Sequence, residues 1–534
     1  MPGVGKSRRA PIGRGGESSD MRRPFSSYPV PETEYFERVL RHDPNSLTQL
    51  IAATSASLPP VRDLAARGLS LYAPWALLDA AWVSLARGRD SRPGATSADL
   101  HQILDLFLAL DDPVTQEPEG MKRWEGYLQR ATHHQGPWQE DAYAQLSRSI
   151  ALLDQTPYPD DADDPLEVIL PGWDHELLGC SLADYLGIVH LVWGCATAHP
   201  NPRRRGRFAL DWLAVADYDQ FDGLRSPAQV KTVLNRHFVT TKNKLRAAFP
   251  DDHDPLLRRY THNPLRSSPL VGGVPGGYLV PVPAAVLGKA TPLGLYYTGG
   301  DNKSEWGKAF TNDVGRLFER YVGRQLDLLL DAKIHPEVLV KISKKDKKKT
   351  IDFFVVFPDL VLLVEVKSTR PSEQLRLGGP DFTSLLLATP LKKAFEQING
   401  SVDLLRSGKY PELADIPADR RMIGMVVTAE LFHQINTPAY RAALPDTDIP
   451  VMVTSIAELE DAVTITSTSL AKLLCAADDA GVANLRQLFP QYEFLEHNAV
   501  LEQGWSAIPF ARPCQPRSQD TAAAEPGSGP ERRP

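Results

Sequence analysis

The chain has 534 residues, of which 42% are hydrophobic and 23% are charged, and its formal net charge is −7. This length allows about two to four domains, each with its own core, and the composition is typical of globular proteins. The negative net charge excludes a protein that attracts nucleic acid through its overall field, so a polyanionic partner has to meet a local basic patch. Four cysteines without a CxxC pair argue against a zinc ribbon or a disulfide-stabilised fold.

No apolar run in the sequence reaches the length of a membrane span. The best candidate, residues 182–195, is interrupted by Asp184 and His190, so it predicts a buried helix. The arginines near the N-terminus are not followed by an apolar segment, which argues against a signal peptide. We therefore expect a cytoplasmic protein without a membrane partner.

The first 304 residues divide into a tail and two regions. Residues 1–30, like residues 512–534 at the other end, are poor in apolar side chains, which predicts disordered tails. In residues 31–158 apolar positions recur at spacings of three and four, as in 97–110, and this pattern predicts a helical domain. Residues 159–304 mix short helical patterns with turn-rich segments, and we interpret them as a mixed α/β intermediate region.

From residue 305 to about residue 470 the pattern changes to a compact alternation of helices and strands. The predicted elements are a helix at 312–330, strands at 337–342, 351–357 and 360–366, a helix at 391–405, a strand at 422–428, a further helix, a strand at 451–454 and a helix from 456. Only Pro358 and Asp359 separate the second and third strands, which predicts a tight hairpin. Residues 471–511 are expected to add a C-terminal helical extension.

Three charged residues lie at the ends of the two hairpin strands. Asp352 stands near the start of one strand, and the triplet Glu365-Val366-Lys367 ends the next. Because side chains alternate along a strand, Glu365 and Lys367 point to one face, and Asp352 can lie opposite Glu365 across the hairpin. Two close carboxylates suit a hard divalent ion such as Mg²⁺ or Mn²⁺, and the Lys367 ammonium is then placed to orient a metal-bound water or take its proton.

The order helix, three strands, helix, strand, with these residues in place, resembles the PD-(D/E)xK nuclease superfamily over roughly residues 305–470. The resemblance implies a restriction-endonuclease-like α/β fold, with an αβββαβ core and a mixed central sheet. By its own apolar spacing, the N-terminal region that precedes this core is expected to be largely α-helical. It also implies that Glu319, in the first helix, completes the metal shell or holds the lysine. Gln397 resembles a glutamine that some subfamilies place near the metal. The usual proline before the aspartate is missing, since Thr350-Ile351 stands there.

Basic residues concentrate in the loop that leads into the Asp352 strand. The loop contains Lys341, Lys344, Lys345, Lys347, Lys348 and Lys349. In an acidic protein this patch predicts contacts with a nucleic-acid backbone, and a solvated hairpin tip is the alternative. Lys393, one turn before Gln397, is a further candidate for a phosphate contact. For Lys393 and Gln397 the alternative is an ordinary polar helix face.

These features predict a Mg²⁺-dependent phosphodiesterase that cuts DNA, with endonuclease action favoured over exonuclease action. Asp352, Glu365 and Glu319 are expected to bind the metal, and Lys367 and Gln397 are expected to complete the catalytic centre. A large helper region beside such a nuclease is similar to bacterial restriction and anti-phage defence proteins, which is an analogy at the level of fold.

Other functions stay open. A catalytically inactive, nuclease-like module could bind nucleic acid or protein, although the retained lysine and acids favour catalysis. RNA or a repair intermediate could be the substrate, and RNA ranks below DNA because no base-stacking platform is evident in the sequence. A protein partner, or a homo-oligomer formed through the N-terminal helical region, also stays open.

Overall fold

The computed structural model describes residues 29–115, 121–159, 163–199, 201, 204–210, 226–250, 252–274, 277–300, 306–344, 346–377, 386, 389–432, 434–482 and 484–509. Nearly all of both predicted tails, and Lys345, lie outside these residues. The described chain is a mixed α/β protein with mixed sheets, which confirms the expected fold class at this coarser level.

Helices make up the regular structure before residue 200. Their bounds are Glu32–Val39, Pro44–Ser55, Val61–Leu64, Pro74–Arg87, Ser97–Leu108, Met121–Gln135, Ala142–Leu153, Trp173–Leu178 and Leu182–Ala198, with 3-10 turns at Ser70–Tyr72, Pro113–Thr115 and Gly136–Trp138. Two of them begin where the sequence predicts: Thr96 forms a capping box with Asp99, and Ser181 caps the helix expected around 182–195. No helix in the described ranges is long and apolar enough to cross a membrane.

The N-terminal helices share a hydrophobic core with side chains from residues 245–285. Trp82 is buried there, and the Arg258 guanidinium stacks over its ring at 4.8 Å. Arg258 also forms an ion pair with buried Asp79, which accepts a 2.8 Å hydrogen bond from the Tyr35 hydroxyl. Buried charges are tolerated only with such partners. The region before residue 159 and part of the region after it therefore form one packed unit.

A small four-stranded sheet lies between residues 207 and 279. Its strands are β1 (Arg207–Phe208), β2 (Val239–Thr240), β3 (Leu270–Val274) and β4 (Gly277–Leu279), in the order β1-β4-β3-β2. The helices of this part are Pro227–His237, Lys242–Ala247, Pro264–Ser267, Pro283–Gly288 and Pro292–Gly300, with a 3-10 turn at Pro255–Tyr260. Gly277 has a φ of +118°, and a Cβ there would lie 2.3 Å from the Phe208 carbonyl oxygen, so only glycine fits.

The central sheet has five strands, in the order β11-β10-β9-β8-β5. They are β5 (Lys333–Pro336), β8 (Phe353–Val356), β9 (Leu360–Lys367), β10 (Arg421–Thr428) and β11 (Val451–Ser455). β5, β8 and β9 pair antiparallel, whereas β9, β10 and β11 pair parallel, so the sheet is mixed. The carboxyl ends of β9, β10 and β11 consequently meet at one edge of the sheet.

Both faces of this sheet are buried. Leu362 and Val364 of β9 share a core with the first core helix (Gly307–Leu326), and Val361 and Leu363 share another with the second core helix (Pro390–Ser407). This arrangement explains why β9 reads as a continuous apolar run rather than an alternating one.

The predicted strand at 337–342 is confirmed in part, because Leu339–Lys341 is a strand, but its expected place in the central sheet is wrong. β5 occupies the edge position instead, and β6 (Leu339–Lys341) pairs antiparallel with β7 (Lys347–Lys349) in a separate ribbon, the lysine hairpin. All three residues of β7 are exposed lysines. Burying their charges in a sheet that is covered by protein on both faces would cost too much free energy. The expected lysine-rich loop is therefore mostly a β-hairpin.

Helices close the C-terminal part of the described chain. Their bounds are Ile456–Ala462, Leu470–Ala480 and Ala499–Ser506; shorter elements lie at Glu373–Leu377, Pro411–Leu413, Pro438–Arg441, Leu485–Gln487 and Phe489–Gln491. The last helix packs closely on helix Ala142–Leu153. The approach is so close that a Cβ at Gly504 would lie 2.3 Å from the Ser147 carbonyl oxygen. The C-terminal extension therefore rests on the N-terminal helical region.

Candidate active site

The hairpin of β8 and β9 brings Asp352 and Glu365 to the same edge of the central sheet. Phe353 pairs with Val364, and one further step in this register sets Asp352 beside Glu365. Asp352 lies at a bend just before β8, where its Oδ2 accepts a 2.6 Å hydrogen bond from the Val366 backbone N–H. Asp352 is 9% exposed and Glu365 is fully buried. The two acids predicted to share a site are therefore neighbours.

Lys367 belongs to the same group. Its Nζ donates a hydrogen bond to Glu365 Oε1, and its side chain is 18% exposed, so the amine lies between the buried acid and solvent. The second carboxylate oxygen of Glu365, Oε2, is buried and has no hydrogen-bond partner among the described residues. A buried oxygen of this kind costs free energy unless a cation or a donor reaches it.

The electrostatic environment links Glu319 to these acids. Glu319 lies half-buried on the first core helix, and burial together with the charges of Asp352 and Glu337 raises its pKa to about 7. Burial and the Asp352 charge raise the pKa of Glu365 to about 8. Burial also raises the pKa of Asp352, against the opposing effects of the Val366 hydrogen bond and the Lys367 charge. The site concentrates more negative charge than its surroundings neutralise.

These residues fit a hard divalent cation by their chemistry. The donors are carboxylate oxygens, as Mg²⁺ and Mn²⁺ prefer, and Glu365 offers a buried oxygen without a partner. As the side chains stand, no three His, Cys, Asp or Glu groups in the described part of the chain are close enough to hold an ion together. Instead the Lys367 amine contacts Glu365 directly. A cation held by three of these acids would require their side chains to rearrange.

Gln397 lies on the second core helix, on the side that faces the start of β8. Ser401, one turn later, accepts a 3.0 Å hydrogen bond from the Ile351 backbone N–H, and the Lys348 Nζ lies 2.7 Å from where a Cβ on Gly400 would be. The Gln397 Oε1 is buried without a hydrogen-bond partner in the described ranges. Gln397 is thus near the predicted site but bonded to none of the described residues through this oxygen.

The predicted nucleic-acid contacts fall into two groups. Lys344, Lys347, Lys348 and Lys349 lie exposed on the lysine hairpin, and Lys393 is exposed on the second core helix. Lys345 lies outside the described residues. The hairpin is therefore a solvent-facing basic ribbon, and its base borders the acids.

Sequence reasoning missed Glu337. Its Oε1 pairs with the Lys349 Nζ at 2.9 Å, and its charge raises the pKa values of both Glu319 and Asp352. No motif marks this residue, which stands between β5 and β6 and is predicted only as the first residue of a strand. It connects the lysine hairpin to the acid group.

A pH dependence follows from the buried acids. The pKa of Glu365 in the folded state, about 8, exceeds its ordinary value of 4.5, so the folded protein holds an extra proton between these values. In EDTA the free energy of unfolding should therefore fall as pH rises through this window. Glu365→Gln has no proton to lose there, and at about pH 8.5 it should be more stable than the wild type by on the order of 2 kcal/mol.

Urea denaturation in EDTA at about pH 6 and about pH 8.5 measures this difference. Glu396→Gln, at an exposed position of the second core helix, is the matched control and should keep the wild-type pH dependence. Equal pH dependence in the wild type and Glu365→Gln would show that Glu365 is not a strained acid.

No family model matches the chain, and no curated protein or solved structure is significantly similar to it. Any function must therefore be inferred from the geometry and chemistry of the residues themselves.

Proposed function

We propose that the chain is a metal-dependent nuclease that hydrolyses phosphodiester bonds in DNA, with a restriction-endonuclease-like core. The order of elements supports this proposal. The first core helix is followed by β5, β8 and β9, then by the second core helix and β10. The lysine hairpin is an insertion between β5 and β8.

One observation carries the proposal: two buried acids, Asp352 and Glu365, lie side by side on adjacent strands with the Lys367 amine at the same edge. A scaffold has little reason to keep this arrangement, since two close carboxylates in a buried setting repel each other and resist ionisation. A divalent cation bound between them would offset this repulsion and stabilise both carboxylates in their ionised form. Enzymes of phosphoryl transfer use such carboxylate pairs to hold their metal ions.

The protein residues have distinct roles in this proposal. Asp352, Glu365 and Glu319 would hold Mg²⁺ or Mn²⁺, which when bound lowers the pKa of water and stabilises charge on the phosphate. The Val366 N–H fixes the Asp352 carboxylate, and Lys367 supplies a mobile ammonium that donates to a phosphate oxygen or orients the attacking water. Gln397 supplies an amide oxygen able to accept a hydrogen bond from that water.

The second candidate is a nuclease-like module that binds nucleic acid without cutting it. The direct contact between Lys367 and Glu365 favours this function, because an amine bound to the acid neutralises it without a metal. A cleavage assay with and without divalent metal separates the two candidates.

The assay incubates the full-length protein with supercoiled plasmid, linear duplex, single-stranded DNA and single-stranded RNA, each with Mg²⁺, Mn²⁺ or EDTA. The expected result is metal-dependent nicking or linearisation of the plasmid, and no product in EDTA. Binding without product in any metal would support the inactive module instead. Preferential cleavage of RNA would support the same metal-dependent hydrolysis, with RNA rather than DNA as the substrate.

The lysine hairpin is the proposed contact for the DNA backbone. Changing both Lys347 and Lys348 to glutamine should weaken DNA binding and reduce the slope of log K against log salt by about 2, since each phosphate contact contributes about 0.9. Fluorescence anisotropy with a labelled duplex at several salt concentrations measures both effects.

The matched control changes the exposed residues Lys409 and Lys472, which lie outside the hairpin. This control should bind like the wild type. If the two double variants behave alike, the hairpin is an ordinary solvated ribbon.

The N-terminal helical region is the proposed place for recognition of a target, a trigger, a protein partner or a second copy of the chain. By analogy at the level of fold, a nuclease core joined to a large helical region suits restriction or anti-phage defence. Comparing phage infection of cells that carry the wild type or Asp352→Asn would address this role.

A further inference from the structure

A large cavity lies between the N-terminal helices and the edge of the central sheet where the parallel strands end. Its volume is about 1840 Å³, well above the roughly 300–1,000 Å³ of an ordinary small-molecule pocket. Ser368, Glu430 and Ser455, at the carboxyl ends of β9, β10 and β11 or just beyond them, form one wall. Ligands of open α/β sheets commonly bind outside such strand ends.

The wall of this cavity is basic although the protein is acidic. Among the lining residues that the structure describes, ten are lysine or arginine and four are aspartate or glutamate. Arg130, Arg148 and Arg486 form ion pairs with acids outside the lining, which leaves seven cations against four acids, whereas the whole chain carries −7. Concave walls of one charge focus the electrostatic field and attract ions of the opposite sign. The cavity therefore selects for anions.

Three of these residues form an arginine cluster: Arg266, Arg370 and Arg376. A single acid, Glu430, serves two of them, at 3.2 Å from Arg370 Nε and 2.7 Å from Arg376. Arg266 has no carboxylate within 4.0 Å in the part of the chain that the structure describes. The cluster keeps a net positive charge inside the protein.

This positive charge is costly to hold. Arg370 is 8% exposed, and burial lowers the pKa values of both Arg266 and Arg370. Burial also lowers the pKa of Lys289, on the same cavity wall, to about 8. Guanidinium groups that lack a full set of acid partners are matched well by phosphate oxygens, which they bind in a bidentate manner.

Aromatic rings accompany the cations. Arg266 lies 5.2 Å from the centre of the Trp138 ring, and Arg370 lies 3.7 Å from the centre of the Tyr296 ring. Tyr297, on the cavity wall, is 57% exposed, so its ring is accessible to a ligand in the cavity. Aromatic faces next to arginines are the surfaces on which nucleobases stack.

We propose that this cavity binds single-stranded nucleic acid, about four nucleotides or more, with phosphates on the arginine cluster and a base against Tyr297. A mononucleotide would fill only part of the volume. The ligand is either a free short oligonucleotide or the single-stranded end of a longer molecule, which share this chemistry. Asp352, Glu365 and Lys367 do not line the cavity, so this binding does not require hydrolysis.

The first measurement is anisotropy of a fluorescent, 5′-phosphorylated thymidine oligomer of about four nucleotides, bound to the full-length protein in EDTA. Arg266→Gln should weaken this binding about tenfold or more, because it removes a charged hydrogen-bond donor without leaving an unpaired acid. Arg406→Gln, at an exposed ion pair, is the matched control and should leave the dissociation constant unchanged. Equal binding by wild type and Arg266→Gln would overturn the proposal.

A second variant distinguishes a loss of binding from a folding defect. Tyr297→Ala removes an exposed side chain, so it should fold normally and still weaken the oligomer about fivefold or more through lost stacking. Changing both Lys347 and Lys348 to glutamine should weaken binding of this short oligomer less than Arg266→Gln does. If the lysine variant weakens it more, the oligomer binds the lysine hairpin and the cavity proposal is wrong.

Competition identifies the ligand. Displacement by the unlabelled oligomer at lower concentrations than by ATP or tripolyphosphate supports the proposal, and the reverse order overturns it. A duplex with a single-stranded tail that competes as well as the oligomer indicates a strand end as the ligand; failure of the tailed duplex indicates a free oligonucleotide. The oligomer could bind in EDTA while the cleavage assay shows no product with any metal. That combination would support the cavity proposal and refute only the proposed nuclease activity.

Discussion

Replacing Lys367 with methionine is expected to lower metal-dependent DNA cleavage by about 10²- to 10⁴-fold, the usual contribution of a group that moves or orients a proton. Lys367 is the only amine that contacts Glu365 among the described residues, and its partly exposed position lets it move from the acid to a phosphate or a water. Methionine keeps an unbranched apolar stem, one atom shorter than that of lysine, but cannot donate a hydrogen bond. Single-turnover cleavage at saturating protein, with Mg²⁺, measures the chemical step directly.

A second readout separates the lysine from the acids. Asp352→Asn should abolish cleavage by weakening the metal site, so raising the Mn²⁺ concentration should recover part of its activity. Lys367→Met should keep its defect of about 10²- to 10⁴-fold at every metal concentration. Lys472→Met, at an exposed position on another helix, is the control for the loss of one lysine and should cleave normally. Wild-type cleavage by Lys367→Met would remove Lys367 from the chemistry.

The strand that carries this lysine could be predicted because its signal is local. The continuous apolar run of β9 predicts a strand at 360–366, and the structure has Leu360–Lys367. The hairpin with β8 follows from two turn residues, and it fixes the proximity of Asp352 and Glu365. Strand alternation then sets Lys367 on the same face as Glu365. Every step depends on residues close to one another in the chain.

The edge of the sheet could not be predicted in this way. Residues 337–342 have the composition of a strand, and they contain one, but β6 pairs with the lysine strand β7. The true edge strand, β5, reads Lys-Ile-His-Pro and lacks a clear apolar alternation. Its place depends on pairing with β8, which no local pattern records.

The arginine cluster lies beyond sequence reasoning for a similar reason. Arg266 precedes β3, whereas Arg370 and Arg376 follow β9, so only the tertiary fold brings Arg266 near the two arginines that share Glu430. The sequence offered one usable hint, the position of Arg370 directly after a central strand, where α/β sheets bind ligands. Charge patterning along the chain pointed instead to the lysines, whose clustering is local.

The unit around the central sheet is joined to the N-terminal helices by a buried polar network. Arg148 donates two hydrogen bonds to Glu460, at 2.7 and 2.6 Å, and the Tyr321 hydroxyl donates to Glu460 at 2.6 Å. The Asn498 side chain donates to the Glu460 carbonyl and to Gln325. Through these contacts helix Ala142–Leu153 is tied to the first core helix, to helix Ile456–Ala462 and to the C-terminal helix.

Arg148→Met is therefore expected to destabilise the protein by about 3–5 kcal/mol, because it leaves the buried Glu460 carboxylate without its cation. Equilibrium urea denaturation, followed by intrinsic tryptophan fluorescence, measures the loss. Arg406→Met breaks an exposed ion pair with Asp448 and should cost about 0–1 kcal/mol. Adding Glu460→Leu to Arg148→Met should recover much of the stability, since an apolar pair replaces the unpaired charge. If the double variant is as unstable as Arg148→Met, lost packing rather than the unpaired carboxylate is the cause.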